Sequence, residues 1–143
     1  MKLVNIDQLQ KRVASELSLT KTPIVEAAKQ NAVLQHYYLG LLFKERSKLK
    51  RVEGLYKLVK AKSYKKNKWN SDIKMSGSEA KQMAILDDPV TKTKDILERQ
   101  SEIVEYLNGV ISIFNNRSFT LNSLMNYYSK NSEILNAEEL LND

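Results

Sequence analysis

The sequence predicts an all-α protein of long, coiled-coil-like helices with shorter helices flanking them, assembled as a cyclic homo-oligomer. Three observations lead there. Only four Gly and two Pro punctuate 143 residues, too few turn residues for a many-stranded protein. Both prolines follow a capping residue, in Thr22-Pro23 and Asp88-Pro89; proline suits the first helical turn, where its missing N–H costs nothing. Apolar residues then recur at alternating spacings of three and four over two long stretches, the signature of a coiled-coil seam.

Taken in order, Ile6, Leu9, Val13 and Leu17 lie at helical spacing, so a short amphipathic helix opens the chain, with Asp7 as its candidate cap. Ser18 to Lys21 read as a linker. From Thr22-Pro23 to about Lys66 no proline intervenes. Leu34, Tyr38, Leu41 and Leu42, then Leu49, Val52, Tyr56 and Val59, form the apolar side of a helix of about 45 residues, on the order of 65 Å long. Gly40 and Gly54 weaken it by roughly 1 kcal/mol each relative to Ala. Asn67 to about Asp87, with Asn70-Ser71-Asp72 and Ser76-Gly77-Ser78, reads as a connection with one helical turn at Glu79 to Leu86. The helix after Asp88-Pro89 carries the cleanest row: Val90, Thr93, Leu97, Gln100, Val104, Leu107, Ile111 and Phe114. Ile96, Ile103, Val110 and Ile113 add a second row, so this helix contacts more than one neighbour. Asn115-Asn116 is expected to close it, since Asn tolerates the left-handed conformation at helix ends. Ser118 then caps a helix bearing Leu121, Leu124, Met125 and Tyr128. Lys130-Asn131-Ser132 breaks that one, and Ile134, Ala137, Leu140 and Leu141 suggest a weak final helix.

The chain thus divides into an N-terminal helix and linker (1–21), a helical binding and oligomerisation domain (22–130) and an acidic tail (131–143). So much apolar stripe on so long a helix exceeds what a small monomer buries. Self-association through the seams is the economical solution, with closed symmetry its default form; an intramolecular bundle of three or four helices is the alternative.

Charge is unevenly spread. Between Lys44 and Lys68 eleven bases stand against two acids, leaving +9, whereas the whole chain is +6 and everything outside that window is −3. From Glu133 onward there are four acids and no base. One concentrated basic stretch on an otherwise slightly acidic chain is an electrostatic footprint for a polyanion. Its second half, Tyr56 to Trp69, holds six lysines and no acid, interleaved with aromatics. Single-stranded nucleic acid offers phosphates to cations and open base faces to aromatics, whereas a duplex keeps its base faces stacked away. The candidate DNA-binding residues are therefore Lys57, Lys60, Lys62, Lys65, Lys66 and Lys68, with Tyr64 and Trp69. Tyr56 fits the seam and is a core candidate. Lysines in place of arginines argue for sequence-tolerant, salt-sensitive binding. The plain alternative is a solvated helix end with Trp69 buried.

Other chemistry lacks its residues. No Walker or Rossmann glycine pattern is present, so no nucleotide cofactor is expected. With no cysteine and a single histidine, His36, neither a zinc site nor a nucleophile–base pair is assembled. Asp87-Asp88 and Glu138-Glu139 are adjacent and diverge on a helix, so they are not a catalytic pair. The expectation is a non-enzymatic protein with no catalytic residue, metal or cofactor. No stretch of eighteen uncharged apolar residues occurs and the N-terminus is unlike a secretory signal, so a soluble cytoplasmic protein is expected.

The order of motifs resembles the phage recombination mediators of the UvsY type. Val104-Glu105-Tyr106-Leu107-Asn108-Gly109-Val110-Ile111, then Asn115-Asn116-Arg117-Ser118-Phe119, is similar to that family's long helix, Asn-Asn-Arg turn and following Phe. Leu58-Val59-Lys60-Ala61-Lys62-Ser63-Tyr64 is similar to its basic, tyrosine-ended motif, and Val25-Glu26-Ala27-Ala28 to the opening of its first long helix. The chain departs from the pattern after Tyr64, where Lys65-Lys66-Asn67-Lys68-Trp69 replaces a second aromatic and a glycine turn. The resemblance implies DNA contact at Lys60 and Lys62, and a ring of about six or seven subunits. It further implies a role in phage DNA recombination, repair and replication inside the infected bacterial host: binding single-stranded DNA covered by the phage single-strand-binding protein and loading a phage RecA-like recombinase. Arg117 would close the inter-helix turn or touch DNA. The acidic tail would mimic DNA or cover the lysines. A helical adaptor whose basic segment docks an acidic protein is the alternative function.

Overall fold

The structure, a computed structural model, describes residues 2–18, 23–70 and 72–142, with side chains as far as Ser132. Among the described residues four helices follow one another: α1 (Ile6–Leu17), α2 (Ile24–Trp69), α3 (Gly77–Leu86) and α4 (Asp88–Asn142). Among the described residues there is no strand. The all-α class and the long helices are as the spacing predicts.

Several boundaries differ from expectation. Asn5, not Asp7, caps α1, its side-chain oxygen accepting from the Gln8 N–H at 3.2 Å. Pro23 precedes the first turn of α2, and its carbonyl accepts from the Ala27 N–H at 2.8 Å; the Thr22 cap and the linker from 19 to 22 lie outside the described residues. The single turn expected at Glu79 to Leu86 is a ten-residue helix.

The largest correction concerns Asn115-Asn116 and Lys130-Asn131-Ser132, which end nothing: α4 runs through both for 55 residues. No described non-glycine residue has positive φ, so the left-handed stop is not used. Tertiary partners override the local preference for a break. Gln35 donates to the Asn115 side chain, Arg117 reaches another helix, and Phe114 and Leu121 are buried on either side. The side chains of the expected final helix and acidic tail lie beyond those described.

The chain folds as two compact units, Met1–Leu3 with Leu42–Tyr106, and Val4–Leu41 with Leu107–Asp143. In the second, Tyr38 and Phe114 are both fully buried, their rings stacked at 5.3 Å and 24°. Asn31, also buried, donates to the Phe114 carbonyl at 3.1 Å. Helix α1 lays Leu9 and Val13 into this core. Its Glu16 accepts from Tyr38 Oη at 2.5 Å and from Arg12 Nε at 2.8 Å. Arg117 Nη1 donates to the Glu16 carbonyl at 2.9 Å, so Arg117 fastens α4 to α1. Burial holds its pKa below the usual guanidinium range.

In the first unit the seams read from the sequence turn towards the packed faces, with Leu49, Tyr56, Val59 and Leu97 half-buried. Val52 of α2 and Val90, Thr93, Gln100 and Val104 of α4 are buried, with Ile103 from the second row. Glu45 and Gln100 have no exposed surface at all and are bonded to each other. Helix α3 contributes Ala80 and Ala84, small residues that let it lie close to its neighbours.

Candidate nucleic-acid interface

Nothing between Leu55 and Trp69 breaks a helix, and α2 carries its basic segment to its last turn. Helical geometry then sorts the residues by face. Lys57, Ala61, Lys65 and Trp69 are four apart and form one stripe; Lys60 and Tyr64 form the stripe beside it. The opposite side of the same turns carries Ser63 and Asn67, both buried.

Those two polar residues hold α3 in place. Ser63 Oγ donates to Asp87 Oδ2, and Asn67 Nδ2 donates to the same carboxylate at 3.1 Å and to the Ser63 carbonyl at 3.0 Å. Asp87 also ends α3, donating its own N–H to the Ala84 carbonyl at 3.3 Å, and its carbonyl accepts from the Thr91 N–H in the first turn of α4. At the other end of α3, Ser76 and Glu79 make a reciprocal capping box with bonds of 3.2 and 2.8 Å. The hydrogen bond from the Ser76 backbone, then that from its hydroxyl, hold the Glu79 carboxyl below the ordinary range. Lys68 Nζ donates to the Met75 carbonyl at 2.9 Å and ties down the connection.

With α3 so fixed, its Lys81, Ala84 and Ile85 face the lysine stripe of α2 across a groove of about 570 Å³. Its floor is apolar at Ala61, Ala84 and Ile85, and its aromatic flank is Tyr64 and Trp69. Lys57, Lys60 and Lys65 stand on one side and Lys81 on the other. None of these four lysines forms an ion pair among the described residues. Trp69 is 73% exposed, with Lys68 Nζ 5.6 Å from its ring centre, so the sole tryptophan is not a core residue. Tyr56 is half-buried on the seam with Lys60 Nζ 5.2 Å from its ring.

Of the eight residues singled out in the sequence, the fold thus gathers Lys57, Lys60, Tyr64, Lys65 and Trp69. Lys62 and Lys66 are exposed on α2 but do not line the groove, and Lys68 is half-buried at its end. Lys81, Ala84 and Ile85 were missed. Their signal was the Ser-x-x-Glu box at Ser76, which marks a helix start and would have put Lys81 and Ile85 on one face. Farther along α2, Lys48 is spent on Glu45 at 2.7 Å. No group of acids and histidine suited to a metal occurs among the described residues. No described helix is long and apolar enough to cross a membrane.

Neither a protein-family model nor a curated protein matches the sequence. Solved structures do match. Crystal structures of the bacteriophage T4 recombination mediator protein UvsY in lattice types IV, II and I align with TM-scores of 0.79, 0.76 and 0.72. Identities are 15%, 16% and 17%. The alignments cover 90%, 90% and 87% of this chain and 99%, 98% and 98% of those chains. The resemblance read from the sequence motifs is therefore one of fold: over nine-tenths of its length this chain folds like the T4 recombination mediator UvsY.

Proposed function

We propose that the chain is a non-enzymatic recombination mediator. It binds single-stranded DNA along the α2–α3 groove and helps load a phage RecA-like recombinase onto strands covered by single-strand-binding protein, in the infected bacterial cell. The observation that carries this reading is the groove itself: four lysines with no carboxylate partner among the described residues, around an exposed tryptophan, a tyrosine and an apolar floor. Cations beside accessible aromatics suit phosphates and unstacked bases together. The shared fold supports the mediator role.

The protein acts as a cyclic homo-oligomer in this proposal, of six or seven subunits. One groove with four lysines holds a strand weakly; several on one closed scaffold hold it by effective concentration. Exposed Phe119, Tyr127 and Tyr128 on α4 offer apolar surface for that self-association.

The test is fluorescence anisotropy of a labelled single-stranded oligonucleotide, with a duplex control, across a range of salt. Single strand is bound in preference, with a log–log salt slope of about −0.7 per phosphate neutralised. The Lys57→Ala, Lys60→Ala, Lys65→Ala variant loses most of the affinity, and a Lys62→Ala, Lys66→Ala variant loses less. No single-strand preference, or indifference to the triple change, overturns the assignment and favours an adaptor that docks an acidic protein.

A further inference from the structure

Phosphate binding alone does not account for the groove. A polyanion tracked by lysines needs a charged ridge, and the exposed face of α2 already supplies one. The groove adds what a phosphate has no use for: the exposed methyl group of Ala61 and the side chain of Ile85, which is half exposed between lysines from two helices. Apolar surface in that position gains from being covered by something apolar. It is flanked by Tyr64 and Trp69, whose ring faces favour a flat partner. The charge is arranged to match, with Lys57, Lys60 and Lys65 on the α2 side and Lys81 alone on the α3 side.

We infer that the groove receives an unstacked nucleobase, with the strand crossing between α2 and α3 so that its phosphates meet lysines on both sides. On this view α3 is the second wall of the binding site. Ile85 and Ala61 cover the base, Tyr64 and Trp69 flank it, and Lys81 contacts a phosphate from the far side. The preference for single strands then has a steric origin, because a base paired within a duplex cannot enter. This rests on the single-stranded DNA reading above and specifies how the strand is held.

The test compares two labelled oligomers of equal length and equal phosphate charge: oligothymidylate, and a deoxyribose-phosphate chain without bases. Binding is measured for the full-length wild type, for Ala61→Phe, which fills the groove from an exposed helix position and removes no charge, and for Ile85→Ala, which removes part of its floor. The wild type is expected to favour oligothymidylate tenfold or more. Ala61→Phe brings it down to the level of the base-free chain with an unchanged salt slope. Ile85→Ala narrows the preference several-fold, and Lys81→Ala weakens both oligomers alike. Equal wild-type binding of the two oligomers, or a preference untouched by both groove variants, overturns the inference while leaving single-stranded DNA binding in place. Failure to bind either oligomer overturns the underlying reading as well.

Discussion

The Gln100 side-chain amide donates both to the Glu45 carboxylate, at 2.7 Å, and to the Glu45 main-chain carbonyl, at 3.0 Å. Both residues are fully buried, and the second carboxylate oxygen is held by Lys48 at 2.7 Å. A polar residue at a seam position fixes how two helices are aligned, because any slip leaves its partners unsatisfied.

Removing one member is therefore expected to cost more than removing both. Gln100→Leu should destabilise the protein by about 2–3 kcal/mol, since it leaves a buried carboxylate short of a donor. Glu45→Leu with Gln100→Leu should recover much of that loss, as apolar replacement of a buried polar set often does. Urea unfolding of both single variants and the double gives the coupling energy. Additive losses would mean that the two side chains act independently.

Asp87 has a comparable part at the groove, where it accepts from Ser63 and Asn67. Asp87→Ala should leave the Ser63 hydroxyl without its acceptor and Asn67 with only its bond to the Ser63 carbonyl, at a cost of about 1–3 kcal/mol, and loosen α3. Amide hydrogen exchange is expected to quicken in residues 80–86 and to stay unchanged in residues 100–106. Unaltered protection of α3 would show that Ala80 and Ala84 hold it without the carboxylate.

Tyr38 sets a limit at high pH. Burial first, and then its hydrogen bond to Glu16, raise its pKa well above the ordinary phenol value of about 10. A raised folded-state value stabilises the fold fully below the ordinary pKa and progressively less as pH climbs from there towards the folded-state value. Stability should accordingly fall in alkali above about pH 10, and the fall should be smaller in Tyr38→Phe. Spectrophotometric titration should show one late-ionising phenol that this substitution removes. Tyr106 is also shifted upward by burial, so the Tyr38 step is identified by the difference between the two proteins. A wild type whose stability is flat through that range would contradict the assignment.

Trp69 gives the groove its own reporter, because it is the only tryptophan and is largely exposed. Its emission should be quenched by saturating single-stranded DNA. Trp69→Ala should weaken binding by about 1–3 kcal/mol, the range for one base–aromatic stack, whereas Trp69→Phe should keep most of the affinity. Quenching by duplex to the same extent would place the tryptophan beside the DNA without stacking on a base.

The seams and the groove were not equally legible in the sequence. The row from Val90 to Phe114 was read residue by residue because a period of 3.5 survives whatever the helix packs against; even its polar members, Thr93 and Gln100, are buried. Half of the groove was legible for the same reason, since Lys57, Lys60 and Lys65 share a face by spacing alone. The α3 half was not. Lys81 and Ile85 are brought to the site by burial of Ala80 and Ala84 and by bonds from Asp87 to side chains some twenty positions earlier, and periodicity carries no trace of such bonds. The expected stop at Asn115-Asn116 failed on similar grounds, since the Gln35 side chain of α2 bonds Asn115 and the main-chain carbonyl of Glu16 in α1 accepts from Arg117.

The spacing of these contacts along the chain also bears on the order in which the molecule acquires its shape. The bonds that clamp α3 to α2 join residues 20 and 24 positions apart. Glu45 to Gln100 spans 55, Asn31 to Phe114 spans 83, and Arg117 to Glu16 spans 101. Loop-closure entropy rises with the logarithm of that separation, so the longest closure costs about 1.4 kcal/mol more than the shortest. Local contacts form fastest. The groove belongs to the portion of the chain that can organise first, before Arg117 has reached Glu16.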